Sequence, residues 1–351
     1  MNVNKDFHKY YNGEPPGQKT NAIRWLQKKI IAMAKEMPWS FQTIGEWEAF
    51  KKRIRETLPQ TIGIPKFPEM KQSTVRARIM VDTGVICERV DVYVDEDYSI
   101  PSFVFYSNDT SPSKKPGLVW SPGWPQDKWH PSYQSFAVRM AKKGFVVLVL
   151  DHAPFGETTP ADDNKQSINM TLIMSMGHLL GISQLALRAA ENIRAGEYLR
   201  SRDDVDASRV ALGGLCQGGM DTWLTAALDD SFCAVAPICA ASTFSLHMSE
   251  MASYFYNSDS SPFPFGIMKI CDVEHLHGCI APRPLLVRVN LPDQWWPISG
   301  MDSIEGFTRK IYRLYGAEEN LDIKAEVHEH DLTGPFADAL ENFLVKYLIC
   351  N

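Results

Sequence analysis

The chain has 351 residues, and its 36 basic and 42 acidic side chains give a formal net charge of −6 at pH 7. With 44% hydrophobic and 22% charged residues, the composition excludes wholesale disorder and collagen-like repeats. The mild acidity offers no basic surface, so we expect neither nucleic acid nor a membrane as a partner.

The first residues and the cysteines indicate the compartment. The start, MNVNKDFHKYYNGEPPG, is polar and lacks the apolar region of a signal peptide. The seven cysteines form no CxxC pair, which is typical of reduced thiols, so we expect a cytoplasmic protein. We expect no metal site, because no His/Cys group has zinc-finger spacing, and we assign His275 and His277 to a polar loop. Cys233 and Cys239 lie in an apolar run and are expected in the core.

Two amphipathic helices are predicted within residues 1–74, which we interpret as an N-terminal helical extension. The first is indicated by apolar residues at helical spacing: Ile23, Leu26, Ile30, Met33 and Met37. The second presents one apolar face, formed by Trp47, Phe50, Ile54 and Leu58. Thr43 and Glu46 predict a capping box at its start, and Pro59, Gly63 and Pro65 predict its end.

From about Val75 the pattern changes to strands. The runs RARIMVDTGVICERVDVYVDE and SIPSFVFYS predict antiparallel strands. Six short apolar runs follow, separated by helical patterns: GLVWS, FVVLVLD, RVALGG, FCAVAPI, PLLVRVN and IKAEVH. Such continuous apolar strands are typical of a parallel sheet that helices cover on both faces. The repeated strand–helix units predict a doubly wound α/β domain over residues 75–351.

The most informative segment is RVALGGLCQGGMDTWLTAAL, a strand, a tight turn and a helix. Its turn reads G-x-C-x-G, the nucleophile-elbow pattern with Cys216 in the central position. The helix N-terminus that begins near Gln217 carries partial positive charge and favours a thiolate at Cys216. The motif alone also fits a small buried thiol at a strand end. The flanking strand and helix, and an acid and a base downstream in the required order, favour a catalytic nucleophile.

Two carboxylates compete for the acid of a triad. Asp293 follows the strand PLLVRVN and lies in a loop at its carboxyl end. Asp302 lies nine residues further on, where we expect the N-cap of the next helix. We favour Asp293, because the acid must reach the imidazole from the strand end.

Two histidines compete for the base. His328 ends the strand IKAEVH, whereas His330 lies in the loop before the last helix. A loop side chain can swing over the sheet edge, so we favour His330 as the general base. A Cys–His–Asp triad then lets imidazole hold the thiolate, while the carboxylate fixes its tautomer.

The oxyanion hole is expected from two backbone N–H groups. One belongs to Gln217, the residue after the nucleophile, and the other to Trp124 in the loop SPGWP. Pro122 and Pro125 have no N–H, so neither can serve as a donor. Trp124, Trp295 and Trp296 flank the predicted catalytic loops and are expected to contact substrate.

These segments together resemble the α/β-hydrolase superfamily, and within it the dienelactone-hydrolase and acetyl-xylan-esterase-like branches. The resemblance extends from about Val75 to the end of the chain and rests on GLVWSPGW, GFVVLVLDHAPFGE, DVDASRVALGGLCQGG, APRPLLVRVNLPD and HEHDLTGPFADALENFL. It implies an α/β-hydrolase fold with Cys216, Asp293 and His330 as the triad. Dienelactone hydrolases use Cys in a G-x-C-x-G-G turn, whereas the esterase-like relatives usually use Ser. Many relatives carry His-Gly where this chain has Pro122-Gly123.

The expected function is hydrolysis of an ester, lactone or thioester through an acyl-Cys216 intermediate. Two alternatives stay open: an acyltransferase, cyclase or C–C bond-cleaving enzyme with the same acyl-Cys chemistry, and a non-catalytic ligand-binding protein with this scaffold. No dinucleotide or phosphate-loop fingerprint is present, so we expect no cofactor. The expected partner is a small acyl substrate, and the tryptophans favour an aromatic one. The sequence leaves open whether the chain forms a homo-oligomer.

Overall fold

The structure is a computed structural model that describes residues 22–69, 73–109, 113–158, 166–250, 263–293, 295–296 and 298–350. The strands in these ranges are β1 (Thr74–Asp82), β2 (Val85–Tyr93), β3 (Ser99–Ser107), β4 (Lys115–Ser121), β5 (Val146–Leu150), β6 (Val205–Leu215), β7 (Val235–Ile238), β8 (Leu285–Leu291) and β9 (Leu321–Val327).

The helices alternate with these strands after β4. They are α1 (Ala22–Glu36), α2 (Ile44–Ile62), α3 (Pro131–Lys142), α4 (Gln166–Leu180), α5 (Gln184–Ser201), α6 (Gln217–Leu228), α7 (Phe244–Glu250), α8 (Val273–Ile280), α9 (Ile298–Tyr315) and α10 (Gly334–Leu348). Three short 3₁₀ turns complete the described elements: Gly156–Thr158, Ile267–Lys269 and Glu318–Asn320.

One sheet organises the described chain. Its strand order is β1-β2-β3-β5-β4-β6-β7-β8-β9. The pairs β1–β2, β2–β3 and β3–β5 are antiparallel, and the remaining pairs are parallel. This is the mixed α/β architecture expected from the sequence, with antiparallel strands first and parallel strand–helix units after them. Because β4, β6, β7, β8 and β9 are parallel, the loops that follow them meet at one edge, where α/β proteins place their ligands.

The helix α2 is part of the main core. Trp47, Ile54 and Leu58 are fully buried in one cluster with α6, α8 and α9 side chains. The side chain of Thr43 accepts a hydrogen bond from Glu46 N, as the capping prediction requires. The Glu46 carboxylate, however, accepts a hydrogen bond from Gln42 N and not from Thr43 N. By contrast, no residue of α1 is fully buried. The predicted boundary at residue 74, between an N-terminal helical extension and the α/β domain, stays a prediction.

Several local predictions differ from the structure. Pro59 lies inside α2, and Gly63, in a left-handed conformation with φ 74°, ends that helix. His275 and His277 are wrongly assigned to a polar loop: both lie in α8 and are buried. Asp302 is wrongly expected at an N-cap, since α9 begins four residues earlier at Ile298.

No single helix in the described ranges is both long enough and apolar enough to cross a membrane. The segments Thr171–Leu180 and Gln184–Ser201 meet the length and composition criteria only together, and they are bent by 91° relative to each other.

The packing of α2 predicts unequal effects of two Ile→Ala substitutions. Ile54→Ala removes fully buried methylene groups and should lower the free energy of unfolding by about 2–5 kcal/mol. Ile23→Ala, at a position 47% exposed on α1, should change it by less than about 0.5 kcal/mol. Urea denaturation measures both, and equal effects would contradict the placement of α2 in the core.

Candidate active site

The turn between β6 and α6 holds Cys216 in a strained conformation. Its backbone has φ 57° and ψ −120°, which costs a residue other than glycine about 1–3 kcal/mol. Gly214 and Gly218 of the turn are required because neighbouring backbone atoms occupy the space that a Cβ would need. A Cβ on Gly214 would lie 2.3 Å from the carbonyl oxygen of Gly218, and one on Gly218 would lie 2.0 Å from that of Ser121. The thiol of Cys216 therefore projects from a turn that larger residues at these two positions would disrupt.

The structure brings the predicted acid and base together at the carboxyl end of the sheet. His330 lies in the loop after β9, and its Nδ1 is 3.1 Å from Oδ2 of Asp293, which follows β8. The second carboxylate oxygen, Oδ1, accepts a hydrogen bond of 2.7 Å from Trp295 N. Both oxygens of Asp293 are therefore engaged, and the ring of His330 is held by a carboxylate that is 1% exposed.

The thiol of Cys216 lies close to the ring of His330. Nε2 is buried and makes no hydrogen bond of ordinary geometry to the described residues, yet the Cys216 thiol lies close enough to act on the ring electrostatically. Burial lowers the pKa of His330, but Asp293 and Cys216 outweigh it and raise the pKa to about 10. At neutral pH the ring is therefore an imidazolium.

The two competing residues lie elsewhere. Asp302 is exposed on α9 and has no contact with His330. His328 lies partly buried just after β9, where its ring packs on Phe336 at 4.7 Å and its Nε2 lies 3.3 Å from the hydroxyl of Thr333. Geometry thus favours Asp293 and His330 over both alternatives.

The loop after β4 lies directly against the elbow. A Cβ on Gly123 would approach Cβ of Cys216 to 3.2 Å, so glycine permits this contact. Gly123 N–H donates to the hydroxyl of Tyr133 at 3.2 Å and is turned away from an oxyanion role. Gln217 is the first residue of α6, where a backbone N–H has no acceptor within the helix. The predicted donors, Gln217 N–H and Trp124 N–H, therefore belong to the two segments that meet at Cys216.

The three tryptophans assigned to substrate differ in exposure. Trp124 is 41% exposed beside the elbow, and Trp295 is partly buried next to Asp293. Trp296 is buried and its ring lies 5.1 Å from that of His247. Trp296 belongs to the main hydrophobic cluster, and substrate contact by any of the three stays a prediction.

A buried polar network beneath the predicted oxyanion loop, residues 121–125 at the end of β4, was not predicted from the sequence. Ser121 Oγ lies 2.7 Å from Nε2 of His152, whose Nδ1 bonds to Glu191. The same hydroxyl donates to Asp221 at 3.2 Å, and Arg188 Nε donates to Asp221 at 2.7 Å. All five side chains are essentially inaccessible, so no substrate reaches Ser121 although it lies in a Ser–His–Glu array.

This network links α5 and α6 to the oxyanion loop. Arg188 bonds to the carbonyl oxygen of Pro122 at 3.0 Å as well as to Asp221. Burial raises the pKa of Glu191 to about 8 and that of Asp221 to about 6, and it lowers the pKa of His152 well below its usual value. At neutral pH the charged pair is therefore Arg188–Asp221, while His152 is neutral and Glu191 is largely protonated. The only sequence signal was the polar spacing of Arg188 and Glu191 on an apolar helix.

Cys239 is a second unpredicted neighbour of the site. The sequence placed it in the core, and it is indeed fully buried. Yet its sulfur, a carboxylate oxygen of Asp293 and a ring nitrogen of His330 all lie within 4.8 Å of one another. Its position follows from strand pairing, since Leu215 and Ile238 are partners in the β6–β7 register and the two cysteines come next. That pairing is not visible in the linear sequence.

Known proteins provide comparisons for this geometry. No protein-family model matches the chain. It is 26% identical over 217 residues to YtaP of Bacillus subtilis (strain 168), named as a "putative hydrolase", covering 61% of this chain and 69% of that protein.

Solved structures share the architecture. The methylesterase BT1017 superposes with a TM-score of 0.66 at 19% identity, covering 92% of this chain and 68% of that one. A "putative acetyl xylan esterase" of Bacteroides fragilis NCTC 9343 gives 0.67 at 16% identity, covering 85% and 81%. The chain therefore has the α/β-hydrolase fold, as expected, while the dienelactone-hydrolase branch and the cysteine nucleophile stay predictions.

The Asp293–His330 contact predicts a specific pH dependence. Because the folded-state pKa of His330 is raised, the contact stabilises the protein fully below pH of about 6.5, and this contribution is lost as pH rises through about 10. Asp293→Asn should lower the His330 pKa, because the ring loses its carboxylate partner while burial still lowers the pKa. NMR titration of the ring measures this shift. Asp302→Asn is the matched control, and an unchanged His330 pKa in Asp293→Asn would contradict the assignment.

The buried network predicts a large effect of one arginine. Arg188→Met leaves Asp221 buried without its cation and should lower the free energy of unfolding by roughly 3–5 kcal/mol. Arg309→Met is the control, since Arg309 pairs with Glu305 on the surface of α9 and such pairs contribute at most about 1 kcal/mol. Urea denaturation near pH 8 compares them, and losses of equal size would refute the structural role of Arg188.

Proposed function

We propose that the chain is a hydrolase of carboxylic esters, lactones or thioesters that acts through a Cys216 nucleophile. The observation that carries the proposal is the position of His330, whose Nδ1 lies on Asp293 while the thiol of the strained elbow lies close to its ring. This order of acid, base and nucleophile is that of a catalytic triad.

Acylation begins with a thiolate at Cys216 and an imidazolium at His330. The thiolate sulfur attacks the carbonyl carbon, and the carbonyl electron pair moves onto oxygen as an oxyanion. The N–H groups of Gln217 and Trp124 are the proposed donors to that oxyanion. When the tetrahedral intermediate collapses, the bond to the leaving group breaks and His330 gives its proton to the departing oxygen or sulfur.

Deacylation uses the neutral imidazole that acylation leaves behind. His330 takes a proton from water, the hydroxide attacks the acyl carbon, and the carbon–sulfur bond breaks to release the carboxylic acid and the thiolate. The carboxylate of Asp293 stabilises the imidazolium formed in this step and holds its Nδ1–H orientation.

The relatives support the acyl class of the substrate. YtaP is named as a hydrolase, and the two solved structures are named as a methylesterase and an acetyl xylan esterase. An ester of a small acyl or alkyl group is therefore the first substrate class to test. A partly exposed Trp124 beside the thiol offers one apolar ring to such a substrate.

Intact-mass spectrometry tests the proposal. Wild-type protein mixed with p-nitrophenyl esters, thioesters and lactones should gain the mass of one acyl group, and Cys216→Ala should gain none. Cys350→Ala is the matched control, because it removes the exposed thiol near the C-terminus and should keep the adduct. Turnover should fall by at least about 10³-fold in Cys216→Ala, as for loss of other triad nucleophiles.

The fate of the adduct separates the remaining hypotheses. Release by water at the rate of turnover supports a hydrolase. Slow release of the acyl group by water, together with fast release by an added amine or thiol, would contradict a hydrolase and support an acyltransferase. No adduct with any of these esters in wild-type protein, together with ligand binding that Cys216→Ala leaves unchanged, would contradict an enzyme that uses Cys216.

A further inference from the structure

A second polar network, which the triad chemistry does not use, joins the two loops on either side of the candidate site. It crosses the N-terminal end of α3, from the predicted oxyanion loop to the loop after β9 that holds His330, here called the base loop. Its members, in order along the network, are Gly123, Tyr133, Gln126, His130, Ser132 and Asp331. We call it the His130 network, because the ring of His130 joins the half on the oxyanion loop to the half on the base loop.

The Asp331 end of the His130 network fixes the direction of its hydrogen bonds. Asp331 Oδ1 accepts from Ser132 Oγ at 2.7 Å and from Leu332 N at 2.7 Å, and a carboxylate has no proton to give. The Ser132 hydroxyl has therefore used its one proton, and towards His130 Nδ1, at 2.8 Å, it can only accept. It follows that Nδ1 of His130 carries a proton.

The Gly123 end independently fixes the same direction. Gly123 N–H donates to the hydroxyl oxygen of Tyr133 at 3.2 Å, and the Tyr133 hydroxyl donates its own proton to Oε1 of Gln126. Burial raises the pKa of Tyr133 well above its usual value, so this proton is present at neutral pH. The NH₂ group of Gln126 then faces Nε2 of His130 at 3.1 Å, where it requires an acceptor. With Nδ1 protonated and Nε2 accepting, His130 is a neutral ring in its Nδ1–H form.

The network orients the proposed oxyanion donor through Gly123. Its N–H is held by Tyr133, and its carbonyl oxygen accepts from Gln126 N at 2.8 Å. In a planar trans peptide the C=O and the following N–H point in opposite directions, so this second bond sets the direction of the Trp124 N–H. Gly123 also lies against the nucleophile, since a Cβ there would approach Cβ of Cys216 to 3.2 Å.

At its other end the network holds the proposed base through the residue that follows it in the sequence. Asp331 comes directly after His330, and Asp331 N–H donates to the carbonyl oxygen of Glu329 at 2.9 Å, which closes a turn around His330. The bond from Ser132 attaches this turn to α3, whose apolar face belongs to a buried cluster.

We propose that His130, in its neutral Nδ1–H form, is a positioning residue that sets the oxyanion loop and the base loop relative to each other. It acts through Gln126 and Ser132 and transfers no proton to substrate. Loss of a bond in the network lets one loop shift relative to the other, and a misplacement of about 1 Å can slow a reaction about 100-fold. The state of the ring follows from the hydrogen bonds alone, whereas the effect on turnover rests also on the function proposed above.

The nitrogen-15 shifts of the ring measure the tautomer of His130 without any substrate. The full chain, labelled with nitrogen-15 at histidine, is studied at about pH 8, where an ordinary imidazole is neutral. His130 should show a protonated Nδ1 and an unprotonated Nε2, and the spectrum of His130→Gln identifies its signals by their loss. An Nε2–H ring, or a mixture of both tautomers, in wild type would overturn the proposal.

Ser132→Ala breaks the network between His130 and Asp331. The share of the Nε2–H tautomer should rise, because Nδ1–H loses its acceptor and the amide of Gln126 can turn to accept from Nε2. Activity should fall by roughly 10- to 100-fold in kcat, with KM changed less than about threefold, because misplaced loops weaken binding of the transition state more than that of the ester. Ser135→Ala is the matched control: Ser135 is exposed on α3, and both readouts should keep their wild-type values.

Tyr133→Phe breaks the opposite end and covers the case in which Ser132→Ala fails to fold. It removes the acceptor of Gly123 N–H, so kcat should fall in the same range, while the bond to Ser132 keeps the His130 ring in its Nδ1–H form. An unchanged kcat in either variant, when folded, would overturn the positioning role.

The two proposals fail separately. An acyl adduct on Cys216, in a protein whose His130 is the Nε2–H tautomer, would overturn the positioning role and leave the hydrolase proposal standing. An Nδ1–H ring that responds to Ser132→Ala, in a protein that forms no acyl adduct, would support the His130 network and contradict the hydrolase, and with it the role of His130 in turnover.

Discussion

The close packing of the β6–α6 turn against the end of β4 is the constraint on which the site depends. Gly218 has no side chain because the carbonyl oxygen of Ser121 occupies the space a Cβ would need, 2.0 Å away. That contact brings the oxyanion loop to within van der Waals distance of Cys216 and aims the N-terminus of α6 at the thiol. The positive φ of Cys216 is the local cost of this arrangement, and the packed surroundings maintain it.

The buried network beneath the turn explains how such a strained segment stays in place. Arg188 ties Asp221 of α6 to the Pro122 carbonyl of the oxyanion loop, and Ser121 connects the same carboxylate to His152. A network of buried polar groups is stabilising only when its members are paired, so it holds the loop and the helix in one relative position. Asp293 and His330 lie in the loops just after β8 and β9.

The sequence predicted the features that depend on local pattern. The parallel strands, the elbow at Cys216, and the loops that carry Asp293 and His330 all follow from apolar runs and glycine spacing, because chain order alone brings the ends of parallel strands to one edge. His275 and His277 were misplaced because their polar character suggested a loop, whereas Asp272 caps a helix there. In that helix His275 packs on Trp39 and His277 on Trp223. The Arg188–Asp221 network and the approach of Cys239 depend on the pairing of distant segments, which one sequence does not reveal.

The position of the acyl group after a rapid acid quench tests the central claim most directly. Wild-type protein quenched during turnover of an ester, digested and sequenced by tandem mass spectrometry should carry the acyl group on Cys216. An acyl group found instead on Ser121, the hydroxyl of the buried Ser–His–Glu array, would contradict the account. It would mean that substrate reaches this buried network and that the thiol of Cys216 is not the nucleophile.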